Sequence, residues 1–168
     1  MIAYRDATPA DAAALAAVFA ESFTATFGHL YAAEDLAAFL GGCGEEAWAG
    51  ELCDPGYRIR VAEEEERIVG FAKLGPPKLP VEPRGPSAEL RQLYVLKPWQ
   101  GAGVAAVLMD WAIATARDEG AQDLYLSVFI ENERAKRFYA RLGFERIGTY
   151  AFPVGNHVDE DDLMRLAL

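Results

Sequence analysis

The chain has 168 residues, 52% of them hydrophobic and 25% charged, with a formal net charge of −10. That length and balance suit one globular domain with a core that needs no disulfide or metal staple, and they exclude a disordered chain. The negative charge opposes nucleic acid or an anionic membrane surface as a partner and is compatible with a cationic substrate, although solubility alone accounts for it.

No apolar run approaches the roughly 20 residues that cross a bilayer. The opening Met1-Ile2-Ala3-Tyr4-Arg5-Asp6 has no signal-peptide apolar region, so the cytoplasm is the expected location. Cys43 and Cys53 have no partner at metal-ligand spacing and read as reduced thiols. His29 and His157 are isolated and read as structural; no metal is expected.

Tyr4 to Asp6 begins a short strand. Thr8-Pro9 then signals a helix start, and an Ala-rich helix follows from Asp11 to about Phe27, with Leu15, Val18, Phe19 and Phe23 on one face. A second helix is predicted from Ala32 to Leu40, stopped at Gly41-Gly42, and a short third from Glu45 to Glu51. Tyr57–Ala62 and Arg67–Leu74 read as hairpin strands around a charged turn, Glu63–Glu66. Gly75–Ser87 carries five prolines and reads as an irregular loop. Ala88–Leu96 is the next strand, followed by Lys97-Pro98-Trp99-Gln100-Gly101-Ala102-Gly103 and a helix from Val104 to Glu119. Asp123–Ile130, apolar on both faces, reads as a central strand. Asn132 can cap a helix with Ala135, Phe138, Tyr139 and Leu142 on one face. Phe144–Phe152 and Asp162–Leu168 read as closing strands. The strand–helix–strand unit from Ala88 to Ile130 implies a parallel pair.

A glycine turn that opens a helix presents unpaired N–H groups and a positive dipole end, which suits phosphate. Gly101 and Gly103 permit close backbone approach, Gln100 can add a donor, and Ala105 is small. Gly101-Ala102-Gly103-Val104-Ala105-Ala106 also fits the loose dinucleotide pattern. Against that reading, Leu96-Lys97-Pro98-Trp99-Gln100 comes before the first glycine and only about 60 residues follow the loop, too few to complete a dinucleotide fold. No Gly-Lys-Ser/Thr follows, which excludes a Walker loop.

Gln100-x-x-Gly103-x-Ala105, after the strand Leu93-Tyr94-Val95, resembles the acetyl-CoA signature of the GNAT superfamily of N-acetyltransferases. Asn132-x-x-Ala135-x-x-Phe138-Tyr139-x-x-x-Gly143-Phe144 resembles the second half of that pattern at ordinary spacing. The resemblance runs over most of the chain, strongly from Ala88 to Gly148. It implies a single N-acetyltransferase domain over 1–168, of α/β class. The implied fold is a GNAT-like mixed, twisted sheet of about seven strands flanked by helices, with strands four and five parallel and splayed. It implies acetyl-CoA as cosubstrate, with Leu93, Tyr94 and Val95 pairing with the pantetheine arm. The N–H groups of Gly101, Ala102, Gly103, Val104 and Ala105 would hold the pyrophosphate. Asn132 would contact pantetheine and Lys136 the nucleotide end.

An ammonium with a pKa near 10.4 must lose a proton before it attacks, so the reaction needs a base. A strand-four N–H can hold the oxyanion, and Tyr139 can protonate the leaving thiolate. Glu89 matches the position of a catalytic Glu in some family members; its parity with Arg91, Leu93 and Val95 places all four on one face unless a bulge intervenes. Pairing with Arg91 is the competing reading of Glu89, a core aromatic that of Tyr139, and a plain helix cap that of Asn132.

Within the superfamily, Thr24-x-Thr26-Phe27, Tyr31-x-x-Glu34-Asp35-Leu36 and the tail Phe152-x-x-Gly155 with Asp161-Asp162-Leu163-Met164 resemble the Pai-type spermidine/spermine N-acetyltransferases. The resemblance implies a small cationic amine, such as a polyamine, as acceptor, and is compatible with a homodimer. Glu34, Asp35 and Asp159-Glu160-Asp161-Asp162 are candidate contacts for it, with solvated surface acids as the plainer reading. Two alternatives remain: transfer to a peptide, protein or amino-sugar amine, and a non-catalytic acyl-CoA sensor.

Overall fold

The computed structural model describes every residue from Met1 to Leu168. Seven strands form one sheet in the order β1-β2-β3-β4-β5-β7-β6. They are β1 (Ala3–Asp6), β2 (Arg58–Glu64), β3 (Arg67–Gly75), β4 (Ser87–Val95), β5 (Asp123–Phe129), β6 (Glu145–Val154) and β7 (His157–Ala167). Every neighbouring pair is antiparallel except β4–β5. Three helices, α1 (Ala12–Phe27), α2 (Ala33–Gly41) and α3 (Glu45–Cys53), precede β2. α4 (Val104–Asp118) links β4 to β5, and α5 (Glu133–Arg141) links β5 to β6.

The N-terminus is organised as the Thr8-Pro9 signal implies. Pro9–Asp11 is one 3-10 turn, and the Asp11 carboxylate accepts from the Thr8 N–H. Arg5 donates to Asp11 and Glu63, so the start of α1 is tied to the β1–β2 pair. Leu15, Phe19 and Phe23 of α1 pack with Trp48, Ile59 and Phe71 on one face of the sheet. Leu108, Met109 and Ala112 of α4 pack with Leu124, Tyr139 and Phe144 on the other. The helical stretch Pro9–Leu30 has the length and composition of a membrane span. That corrects the expectation that no apolar run reaches span length. Here its apolar side chains cover the sheet.

The β2–β3 turn is tighter than expected. β2 runs through Glu64, and only Glu65 and Glu66 turn, both left-handed with φ 50° and 65°. A two-residue hairpin needs that sign of twist, even without glycine.

β4 and β5 pair only over Ser87↔Asp123, Ala88↔Leu124 and Glu89↔Tyr125, and then part. β5 stays bonded to β7 as far as Phe129↔Asp161. The sheet therefore opens beyond Glu89 and leaves the far half of β4 unpaired on one edge.

Two sequence expectations are overturned. First, β4 bulges: Leu90 faces Leu74 and Gln92 faces Lys73, so Arg91 is the extra residue. Ala88, Leu90, Leu93 and Val95 consequently join the core beneath α4, while Tyr94 joins that beneath α1. Glu89 does not share a face with Leu93 and Val95. Second, β7 starts at His157 and not Asp162, because β6 and β7 form one long hairpin through Gly155-Asn156. Asp159, Asp161 and Asp162 are therefore strand residues, 9%, 7% and 3% exposed, and not solvated surface acids.

Candidate active site

The opening between β4 and β5 is a passage through the sheet. A cavity of 770 Å³ is lined by residues of both cores, Tyr139, Leu126 and Val95 from one and Phe19, Phe23 and Tyr94 from the other. Gly101, Gly103 and Ala105 line it after β4, and Asp159 and Asp161 line it from β7, the strand beyond β5.

The unpaired edge of β4 is set by alternation. Leu96 N–H donates to Val69 O on β3, at 2.8 Å, so the backbone groups of Val95 and Leu93 point the other way, into the gap. Gln100 Nε2 donates to Val95 O at 2.9 Å. Its Oε1 accepts from Arg134 Nη1 at 2.6 Å. The Gln100 side chain thus ties the end of β4 to α5 and keeps one Nε2 donor in hand. The N–H groups of Leu93 and Val95 remain.

Gly101 and Gly103 both have φ +83°. Nothing lies within 4 Å of a Cβ added at either, so the backbone conformation, and not space, calls for glycine there. Gly103 caps α4 in the left-handed conformation. From Gly101 to Ala106 no backbone N–H has a protein acceptor; the first helical bond is Val107 N–H to Gly103 O. Consecutive unsatisfied donors with the dipole of a 15-residue helix behind them form an anion cradle.

Asn132 caps α5, its Oδ1 accepting from Ala135 N at 3.2 Å, which leaves Nδ2 free at the cavity. Lys136 is elsewhere. Its Nζ holds Ile130 O, Glu133 and Asp162 in a separate shallow depression, away from the cavity lining. Arg134 and Arg141, which sequence reasoning passed over, are the α5 cations that line the cavity, Arg134 being the one beside the glycine turn through Gln100.

Tyr139 is 8% exposed, packed against Phe138 and Phe144, and its hydroxyl has no protein partner. Burial pushes its phenol well above the ordinary tyrosine range, so it keeps its proton at any physiological pH. Tyr94 is held up in the same way, by burial first and then by the Tyr139 phenol and the Asp161 carboxylate.

Glu89 is 4% exposed and committed. Its Oε2 accepts from the N–H of Lys78 at 2.7 Å and of Leu79 at 3.0 Å, and its Oε1 faces Arg91 Nε at 3.3 Å. It pins the proline-rich loop to β4 at the point where the sheet opens.

The remaining acids divide. Glu34 and Asp35 lie outside the cavity; Asp35 accepts from Asn156 N and holds the β6–β7 turn to α2. Asp162 pairs with Arg146 and Lys136 beneath α5. Asp159 accepts from the Tyr31 hydroxyl and pairs with His157 Nε2 at 3.0 Å. Asp161 lines the cavity with its titration raised to about 6, by burial first and then by Asp159 and Asp162; the Ser127 hydroxyl pulls the other way. The alternation of Asp159, Asp161 and Leu163 was a signal in the sequence, since residues two apart on a strand share a face. On the cavity floor Lys73, 4% exposed, pairs with Glu51 and lies over the Trp48 ring at 4.2 Å.

Comparison with known proteins agrees with this geometry. The model of the Acetyltransferase (GNAT) family matches residues 14–144. An uncharacterized N-acetyltransferase of Mycobacterium tuberculosis is 38% identical over 155 residues, covering 92% of this chain and 96% of that one. A second, from Lactobacillus delbrueckii subsp. lactis, is 30% identical over 154 residues, covering 90% and 89%. Among solved structures, the PaiA N-acetyltransferase of Thermoplasma acidophilum in complex with coenzyme A superposes with a TM-score of 0.82 at 19% identity, covering 100% of this chain and 99% of that one. The likeness extends to the seven-stranded sheet with its parallel, diverging β4 and β5. The chain belongs to the GNAT family of acetyltransferases.

Proposed function

We propose that this acetyltransferase moves the acetyl group of acetyl-CoA directly onto a primary amine, with a small cationic amine of the polyamine kind as the acceptor class. The observation that carries the reading is the juxtaposition at the β4–β5 opening. An unpaired strand edge, a cradle of free N–H groups and a buried, unpartnered phenol meet at one passage through the sheet.

In this reading the backbone of Leu93, Tyr94 and Val95 takes the pantetheine arm as an added strand, with the N–H groups of Leu93 and Val95 directed to it. The N–H groups from Gly101 to Ala105 hold the pyrophosphate. Asn132 Nδ2 donates to pantetheine, and Arg134 takes the nucleotide-end role expected of Lys136. The Val95 N–H is the oxyanion donor. Tyr139 protonates the departing thiolate, for which a phenol always loaded with its proton is suited. Glu89 acts as base only through water, because its oxygens already hold protein donors. The acceptor enters from the α1 face, where Asp159 and Asp161 supply negative charge. A relative from Salmonella typhimurium, an aminoalkylphosphonate N-acetyltransferase 31% identical over 101 residues, uses a small amine. That supports small amines as a class.

The test is thiol release from acetyl-CoA with spermidine, spermine, a lysine peptide and an aminoglycoside, comparing Tyr139→Phe with wild type. Turnover of one acceptor, slowed in the variant, bears the reading out. Absence of thermal stabilisation by acetyl-CoA overturns it.

A further inference from the structure

Of the four carboxylates that line the cavity, Asp161 is the one without an ion pair or a backbone donor. Asp161 is 7% exposed, faces the cavity and makes no ion pair; the neutral Ser127 hydroxyl on β5 is the one polar side chain that supports its charge. Each other carboxylate bordering the same space is engaged: Glu51 with Lys73, Glu89 with Lys78, Leu79 and Arg91, and Asp159 with Tyr31 and His157. A charge left bare inside a fold is costly, and a structure that keeps one presents it to something.

Its surroundings say to what. Across β5 the directly opposite residue is Phe129, and across β6 it is Tyr150. Residues paired in register share a face, so the carboxylate stands between two aromatic rings. Phe27 closes edge-on against Phe129 with centroids 5.8 Å apart. Aromatic faces beside a carboxylate are the surroundings that a desolvated ammonium prefers. The Tyr94 phenol, on the strand that carries the oxyanion donor, is near enough for its titration to respond to both Asp161 and Tyr139. Asp161, Tyr94 and Tyr139 all line the one cavity, so the carboxylate and the acid share a chamber.

We propose that Asp161 is the catalytic base of this acetyltransferase: it binds the acceptor's ammonium between Phe129 and Tyr150 and takes its proton. The inference rests on the acetyl-transfer reading and replaces Glu89, acting through water, as the base. The ammonium gives one proton to the Asp161 carboxylate. The freed nitrogen lone pair forms the N–C bond to the thioester carbon. The C–S bond breaks and its electron pair leaves on sulfur. The second N–H proton ends on that sulfur by way of Tyr139, which loses one proton and regains another, and Asp161 returns its own to solvent. The charges that act on Asp161 are Asp159, on the same face of its strand, and Asp162, on the opposite face; the neutral groups around it are the Ser127 hydroxyl on β5, Tyr94 on β4, Tyr150 on β6 and Tyr31 before α2. Burial and the like-charged neighbours raise its titration to about 6, so that near neutrality it is mostly ionised and able to take a proton, yet more basic than an ordinary carboxylate.

The test measures kcat/KM against pH for wild type, Asp161→Asn, Glu89→Gln and Asp162→Asn, using n-butylamine, phenethylamine and spermidine as acceptors, with thermal stabilisation by acetyl-CoA recorded for each. Wild type is expected to show an acid limb near pH 6; Asp161→Asn is expected to lack it, to lose about 100- to 10,000-fold in kcat/KM, and to keep the acetyl-CoA stabilisation. Asp162→Asn, on the opposite face of the same strand and outside the cavity, is expected to lose stability with its pairs to Lys136 and Arg146 but to keep kcat/KM within about threefold of wild type while folded. Retention of wild-type rate by Asp161→Asn overturns the proposal, as does a greater loss in Glu89→Gln, or a loss in Asp161→Asn accompanied by loss of acetyl-CoA stabilisation. Wild type that is stabilised by acetyl-CoA yet acetylates none of the amines overturns the role of Asp161 and leaves the cofactor reading standing. Wild type that acetyl-CoA does not stabilise overturns that reading itself.

Discussion

Replacing Asp161 by Asn should make the protein more stable at pH 8 and no more stable at pH 3.5. Burial and its like-charged neighbours hold the carboxyl at about 6 in the fold against 3.8 for an ordinary aspartate, which corresponds to roughly 3 kcal/mol before any solvent screening. The residue is 7% exposed, but its carboxylate opens on the cavity, where solvent screens it. A discounted figure of about 1–3 kcal/mol is the working expectation. The folded pKa is raised, so the neutral form's contribution is whole below about pH 4 and is lost as pH rises through 6. Asn lacks that loss. Urea unfolding of both proteins between pH 3.5 and 8 reads the difference directly, and the other titrating groups cancel between them. At pH 8 the gain corresponds to a Tm higher by about 2–12 °C. A variant less stable at pH 8, or a difference that does not change with pH, would refute the reasoning.

Four further outcomes are expected. Tyr139→Phe removes a hydroxyl that has no protein partner, so Tm should hold within a degree or two while kcat falls about 100-fold, read by thiol release and thermal melting. Gly103→Ala forces a side chain to φ +83° where nothing crowds it, so it should cost about 1–2 kcal/mol in urea unfolding and raise the KM for acetyl-CoA. Asp11 titrates at about 2 because Arg5 and the Thr8 N–H hold its charged form. That stability is present above about pH 4 and lost as pH falls through 2, so Asp11→Asn should cost about 1 kcal/mol at pH 7 after screening and almost nothing at pH 2. Exchanging Glu65-Glu66, both left-handed, for Asn-Gly should stabilise the β2–β3 hairpin by about 1 kcal/mol in the same assay.

Much of the site was legible before any coordinates. The glycine loop and the Asn132 cap lie within short segments whose local chemistry dictates their form: positive φ at Gly101 and Gly103, and a side-chain cap at the start of α5. Helices α1, α2 and α3 fell within two residues of their expected ends for the same reason, since caps and apolar periodicity act over one or two turns. The β6–β7 hairpin was misplaced because Asp159 to Asp162 reads as polar. Only the pairing with Phe129 and Tyr150 shows that three of those acids are buried.

The sequence by itself determined the order of the elements, the anion cradle and the buried aromatic at Tyr139, because each depends on neighbours within a few residues. Which side chains meet across the gap was decided by the tertiary structure alone. One extra residue at Arg91 turns Glu89 away from the face of Leu93 and Val95, and two backbone hydrogen bonds then occupy it. The parting of β4 from β5 after three paired residues leaves an edge unpaired. The long β6–β7 hairpin carries Asp161 to that opening. Strand register is a long-range property: a shift of one residue exchanges the faces of a strand, and no local pattern in a polar run specifies it.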